Sequence, residues 1–227
     1  AKRVLYIVDY SGSMASQNIE GNTRISVLKN ELIESIEKLA PSMRYTVVFF
    51  SGMPWLQDEL PGSQMGRIGR PDVDLDITWY SATKKNKEAT FDAVRGMPLA
   101  PNNSGTLWMG GLRPSSKISP RPDLVFFLTD GVSQDYIRLP QDASSEDFFR
   151  EFVDNTKAWD SFLAEMLSVV PKGIPINTVS MEMPGTAAAR LAQLAAKTGG
   201  DFSIVNEGKL YTGKRALRFG DEKYNSF

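Results

Sequence analysis

Four segments of the chain are dominated by apolar, aromatic and β-branched residues and then break off into polar ones. They are Arg3 to Asp9 (RVLYIVD), Arg44 to Ser51 (RYTVVFFS), Asp123 to Thr129 (DLVFFLT) and Pro175 to Met181 (PINTVSM). The first three runs, without regular polar alternation, read as strands covered on both faces, the environment of a parallel sheet, and the more polar PINTVSM reads as a fourth strand. Between them the period changes to that of a helix. Ile25, Leu28, Leu32, Ile36 and Leu39 recur at helical spacing before Pro41, and Lys84 to Arg95 carries Phe91 and Val94 on one side. Ser144 to Val170 reads as one helical signal through Phe148, Phe152, Trp159, Leu163, Met166 and Val170. Thr186 to Lys197 is an alanine-rich helix closed by Thr198-Gly199-Gly200, and Leu107 to Leu112 opens a short helix. With Phe202 to Val205 as a last short strand, strands and helices alternate. The expected fold is a three-layer, doubly wound α/β domain: a mostly parallel sheet, helices on both faces, and one antiparallel edge strand, Leu75 to Tyr80.

Sheets of this type bind ligands outside the carboxyl ends of their strands, where the strand order reverses. The residues at those ends therefore carry the functional information. The first strand ends in Asp9-Tyr10-Ser11-Gly12-Ser13, three oxygen-bearing side chains on alternate positions, and the DLVFFLT strand ends in Asp130-Gly131. In a parallel sheet both ends face the same way, so two carboxylates distant in sequence meet at one edge. The loop Ser104-Gly105-Thr106 leads into a helix and can bring a further hydroxyl there.

The chain has no histidine and no cysteine, which removes thiol chemistry, zinc thiolate sites and the usual neutral-pH base. Any metal must be held by oxygen, which suits a hard cation that keeps several waters. Hydroxyl ligands are neutral, so two carboxylates and three hydroxyls leave the ion electrophilic and open to an outside acid. The plainer alternative is strand-end capping, in which Asp9 and the serines only satisfy loop amides.

D-Y-S-G-S at Asp9 to Ser13 resembles the D-x-S-x-S motif of von Willebrand factor A domains, where it forms the metal-ion-dependent adhesion site. Thr106 resembles the family's threonine, although leucine stands at position 107 where an acidic or amide residue is common. Leu128-Thr129-Asp130-Gly131 resembles the family's second aspartate segment, and LAAKTGGDFSIV (Leu194 to Val205) resembles the last helix and strand of bacterial members. The resemblance implies a domain over residues 1–206 with a C-terminal extension over 207–227. It implies a divalent ion, Mg2+ or else Mn2+ or Ca2+, with Ser11, Ser13 and Thr106 on or near it and Asp9 and Asp130 acting through water or the hydroxyls. A glutamate or aspartate of a protein partner would complete the coordination.

The function expected on this basis is metal-dependent protein binding, adhesive or scaffolding, and not catalysis; no catalytic residue is assigned. Two alternatives belong to other classes. One is a magnesium-dependent phosphoryl hydrolase or transferase, for which the sequence offers neither a P-loop nor a base for a serine nucleophile. The other is a structural domain in which metal only braces the loops. A net charge of −1 gives no reason to expect a nucleic-acid partner, and no stretch is long and apolar enough to insert in a membrane. The first strand begins by Arg3, so a domain of something longer is expected; the resemblance implies a bacterial, envelope-anchored parent, with a cytoplasmic one as the alternative. The Pro/Gly-punctuated stretch Gly52 to Asp74 is read either as a loop that shapes or plugs the site or as a surface insertion packed by Trp55. Asp135 is read as an outer residue of the site or a solvated turn acid.

Overall fold

A computed structural model of the chain describes residues 2–17, 21–61, 75–101, 105–130, 133–135, 137, 140, 142–181, 185–206 and 209–212. Among these, eight strands form one sheet: β1 (Arg3–Asp9), β2 (Arg44–Phe50), β3 (Pro54–Leu56), β4 (Tyr80–Ser81), β5 (Leu124–Thr129), β6 (Ile176–Met181), β7 (Phe202–Asn206) and β8 (Lys209–Thr212). The order is β3-β2-β1-β5-β6-β7-β8, with β4 also on β2. The inner pairs β2·β1, β1·β5, β5·β6 and β6·β7 are parallel. The chain first builds outward from β1 to β2 and then resumes on the other side with β5, so the order reverses between β1 and β5.

The helices are α1 (Arg24–Glu37), α2 (Lys84–Gly96), α3 (Trp108–Leu112), α4 (Ser145–Asp154), α5 (Thr156–Val169) and α6 (Gly185–Thr198). Although the strands are buried on both sides, their side chains divide by parity. Val4, Tyr6, Val8, Tyr45, Val47 and Phe49 pack with Leu28, Leu32 and Ile36 of α1 and Phe91 and Val94 of α2. Leu5, Ile7, Val48, Phe50, Val125 and Phe127 pack with α3, α5 and α6 on the other face. The three expected layers are present.

Three details differ from the sequence reading. The antiparallel edge is not a strand over Leu75 to Tyr80. Pro54–Leu56 pairs with the end of β2 (Phe49 opposite Trp55), and only Tyr80–Ser81 pairs with its beginning. Trp55 therefore belongs to the sheet: it stacks on Phe49 and its indole N–H points at the Met97 sulfur, 3.3 Å away. The long stretch leaves the edge after Leu56, opposite Val48, and not from the strand ends; its residues 62–74, Met65 and Asp72 among them, lie outside the described residues. The opposite edge is also antiparallel, because Lys209–Thr212, expected in the extension, folds back on β7.

The third difference lies in the long helical signal, which splits at Asn155. This residue ends α4 and caps α5, its side chain accepting from the Ala158 N–H at 3.0 Å. Asparagine competes for backbone hydrogen bonds in this way, so an unbroken apolar period can hide a break. Trp159 is fully buried as expected; the side chains of Phe148 and Phe152 lie outside those described.

The short helix α3 is seated with unusual closeness on β1 and β2. Trp108 is fully buried, edge-on to Phe127 at 5.6 Å and to Trp159 at 6.2 Å. A Cβ at Gly111 would stand 2.7 Å from Ile7 Cγ2 and 2.9 Å from Phe50 Cδ1, so only glycine admits the helix at this distance. Gly111→Ala is expected to lower stability by about 1–3 kcal/mol, the range for overpacking a filled core, as read from the midpoint of urea unfolding.

Candidate metal centre

The carboxyl ends of β1 and β5, at the reversal of strand order, hold two carboxylates. Asp9 is fully buried. Its Oδ1 accepts the Ser11 N–H at 2.8 Å, and its Oδ2 accepts the Thr129 hydroxyl at 2.6 Å. Asp130 is also buried; its Oδ1 accepts the Ser13 hydroxyl at 2.9 Å, and the Ser13 and Ser11 hydroxyls are 3.0 Å apart. The plainer alternative, capping of a loop amide by Asp9, is therefore present on one of its oxygens, and a backbone hydrogen bond also supports Asp130. Beside it a side-chain network runs from Ser11 through Ser13 to Asp130.

The loop that carries the serines is held from below. Tyr10, between Asp9 and Ser11, turns to the opposite face, donates its hydroxyl to the Val94 carbonyl at 3.1 Å and packs edge-on to Phe49 at 4.6 Å. Its N–H reaches the Phe50 carbonyl, and its own carbonyl accepts from Ala100. Gly12–Ala15 forms a single 3₁₀ turn whose Met14 is buried among the residues of α1 and α2. Alternation in D-Y-S is thus the strand period carried one step past the strand: acid and serine to the site, tyrosine into the core.

Thr106 is brought to the same end of the sheet by its neighbours. Ser51, which follows β2, donates its hydroxyl to the Gly105 carbonyl at 2.6 Å and accepts the Leu107 N–H on its own carbonyl at 3.0 Å. Gln134 N–H donates to the Thr106 carbonyl at 2.9 Å. Gly105 has φ of 69°, a backbone conformation that favours glycine, whereas a Cβ there would meet only the movable end of Gln134 (Oε1, 2.8 Å). Thr106 is buried, yet among the described residues no hydrogen bond joins its hydroxyl to the other four; Ser104 lies outside them. The structure therefore links Asp9, Ser11, Ser13 and Asp130 and brings Thr106 to their level.

Asp135 is not a solvated turn acid. Its carboxylate accepts the Met109 N–H at 3.2 Å and the Ser133 hydroxyl, which makes it the anchor for the start of α3. Four contributors were not foreseen: Thr129, Ser51, Gln134 and Arg24. Arg24 Nη1 donates to Asp130 Oδ2 at 2.9 Å. A cation in the first turn of a helix opposes the macrodipole, and that misplacement was a signal available in the sequence.

Burial raises both acids. The Asp9 carboxyl is pushed up to about 7, first by desolvation and then by repulsion from Asp130. Asp130 is also raised by burial, against the pull of Arg24. Among the described residues one guanidinium, that of Arg24 on Asp130, stands against the two buried carboxylates, and the surrounding hydroxyls offer lone pairs. This donor set fits a hard divalent cation. Among the described residues no three acids or histidines converge, so a cation here would rest on two carboxylates and on hydroxyl oxygens.

The sequence matches no protein-family model and no curated protein. Its fold does match solved structures. A von Willebrand factor type A protein from Catenulispora acidiphila aligns over 98% of this chain with a TM-score of 0.56 and 15% identity. The conserved hypothetical protein BatB from Bacteroides thetaiotaomicron aligns over 99% with a TM-score of 0.56 and 10% identity. An aerotolerance-related membrane protein from Bacteroides fragilis aligns over 100% with a TM-score of 0.55 and 12% identity. The chain spans 41% of the length of the first, 98% of the second and 100% of the third. The chain has the von Willebrand factor type A fold.

The raised Asp9 carboxyl gives the fold a pH dependence with a definite sign. Between about 4 and about 7 the folded state binds a proton at Asp9 that the unfolded state has released. In chelator, stability from this group is therefore fully present below pH 4 and is lost as pH rises through 7. Urea unfolding across that range should show the decline in the wild type. Asp9→Asn should remove this component of the slope.

Proposed function

We propose that the chain is a protein-binding module in which a divalent cation, held by Asp9, Ser11, Ser13, Thr106 and Asp130, is completed by a glutamate or aspartate of the partner. The observation that carries this reading is the continuous network Ser11–Ser13–Asp130 beside the buried Asp9, where strand order reverses. Mg2+ is the proposed ion, with Mn2+ or Ca2+ as substitutes. When bound, the ion would supply a Lewis-acidic position open to an outside carboxylate.

The chain's own residues divide the work. Asp9 and Asp130 bring negative charge into a desolvated edge, where attraction for a cation is screened far less than in water. Ser11 and Ser13 contribute oxygens without further charge, so the cation is left under-neutralised and its preference for an anionic ligand survives. Ser13 is exposed while Asp9 and Ser11 are buried, which gives the site one open side. Tyr10 and Met14 hold the loop in register from the core, and Ser51 and Gln134 do the same for the threonine loop. In such a site the partner's acid supplies affinity and the surrounding loops supply shape.

Extracytoplasmic placement, as part of a longer bacterial envelope protein, is proposed with this function. It is supported by the fold shared with a membrane protein of Bacteroides fragilis. Among the described residues no helix is long and apolar enough to cross a membrane.

Immobilised protein should retain members of a peptide library bearing a single Glu or Asp in Mg2+ and release them in EDTA. Asp9→Ala should retain none. Retention that ignores the chelator would overturn the proposal. In parallel, Mg2+ at a hundredfold excess over its dissociation constant should stabilise the wild type by about 2.7 kcal/mol and leave Asp9→Ala unmoved, as read from thermal unfolding.

A further inference from the structure

Arg24 stands at the first position of α1, immediately after the loop that carries the serines. Its backbone N–H donates to the Ser16 carbonyl at 2.9 Å, and Gln17 pairs with Thr23 across the loop. The loop and the helix start are therefore one unit, and the guanidinium is delivered to Asp130 by the same backbone that places Ser13. The side chain is 28% exposed, whereas that of Asp130 has no exposure, so one partner of the pair has a way out and the other has none.

What holds each partner is also unequal. Asp130 has Ser13 on Oδ1 and Arg24 on Oδ2. Among the described residues the Arg24 side chain has one hydrogen bond, the one to Asp130, and its buried Nε has no partner. A buried donor left unsatisfied is costly, and a cation at a helix N-terminus is unfavourable. Arg24 thus depends on Asp130, and Asp130 does not depend on Arg24 for its orientation. A residue meant to brace Asp130 would itself be braced.

We propose that Arg24 is the resting counter-ion of Asp130 and gives up that carboxylate when a divalent cation enters the site. The inference rests on the metal-site reading above and adds its regulation. Arg24 competes for the same carboxylate, so the site's affinity for metal is set below what its carboxylates alone would provide. On release, the guanidinium moves toward solvent at the rim, where it satisfies Nε and adds positive charge on the side open to an acidic partner. Ion entry and acid binding then reinforce each other, because the acid stabilises the released position of Arg24.

The test is Mn2+ binding to the full chain, followed by the loss of the free-ion electron paramagnetic resonance signal. R24Q should bind Mn2+ about tenfold more tightly than the wild type, since a unit positive charge beside the ion has been removed. R24K, which keeps the charge, should stay within about threefold, and D130N should lose binding. Equal or weaker binding by R24Q, with the wild type still binding, would overturn the competition and leave the metal site standing. No binding by either would overturn the metal site and the competition with it. A second measurement needs no variant: the Arg24 Nε–H should be protected from solvent exchange in chelator and lose protection on adding Mg2+. Unchanged protection with metal bound would also overturn the proposal.

Discussion

Two carboxylates are forced into the same desolvated edge because β1 and β5 are parallel neighbours. Every other feature of this end of the molecule answers that constraint. Asp9 receives an amide and a hydroxyl, Asp130 receives a hydroxyl and a guanidinium, and both are still raised by burial. A fold that needed only to cap its strand ends would not place two acids where each raises the cost of ionising the other. The arrangement is intelligible as stored negative potential, kept from collapsing by the rigidity of the strands beneath it.

That rigidity has identifiable sources. On one face Tyr10 carries the first loop down to Val94 and Phe49. On the other, Trp108 carries the threonine loop down to Phe127 and Trp159. Both anchors lie within two residues of a proposed ligand, Tyr10 beside Asp9 and Ser11, and Trp108 after Thr106. Coupling of this kind converts core packing into precision at the surface, since a loop tied so near its functional atom has little freedom to wander.

The layers, the parallel strands and the meeting of Asp9 with Asp130 were legible in the sequence, because apolar runs ending in acid are unambiguous when several occur together. The long α4–α5 signal misled because asparagine interrupts a backbone without interrupting a hydrophobic period. The edge strand over Leu75 to Tyr80 misled for a different reason. Pairing at an edge is decided by which segment reaches the open strand first, and Pro54–Leu56 follows β2 after a turn of three residues. Leu210 and Tyr211 carry too weak a pattern to mark β8 against the basic residues around them. Arg24 was visible as a cation misplaced in the first turn of α1, but its partner was not: only the closing of the serine loop brings that turn to Asp130.

The hairpin of β7 and β8 has a consequence for how the domain is carried. Since β8 runs back against β7, Thr212 stands opposite Ser203, near the end of the sheet where Arg3 opens β1. Entry and exit of the described fold thus share one pole, and the two carboxylates occupy the other. Tension applied through Arg3 and Thr212 would load the strand beginnings first and open the sheet from that rim. The two carboxylates, at the far pole, would be the last part of the sheet to feel the pull.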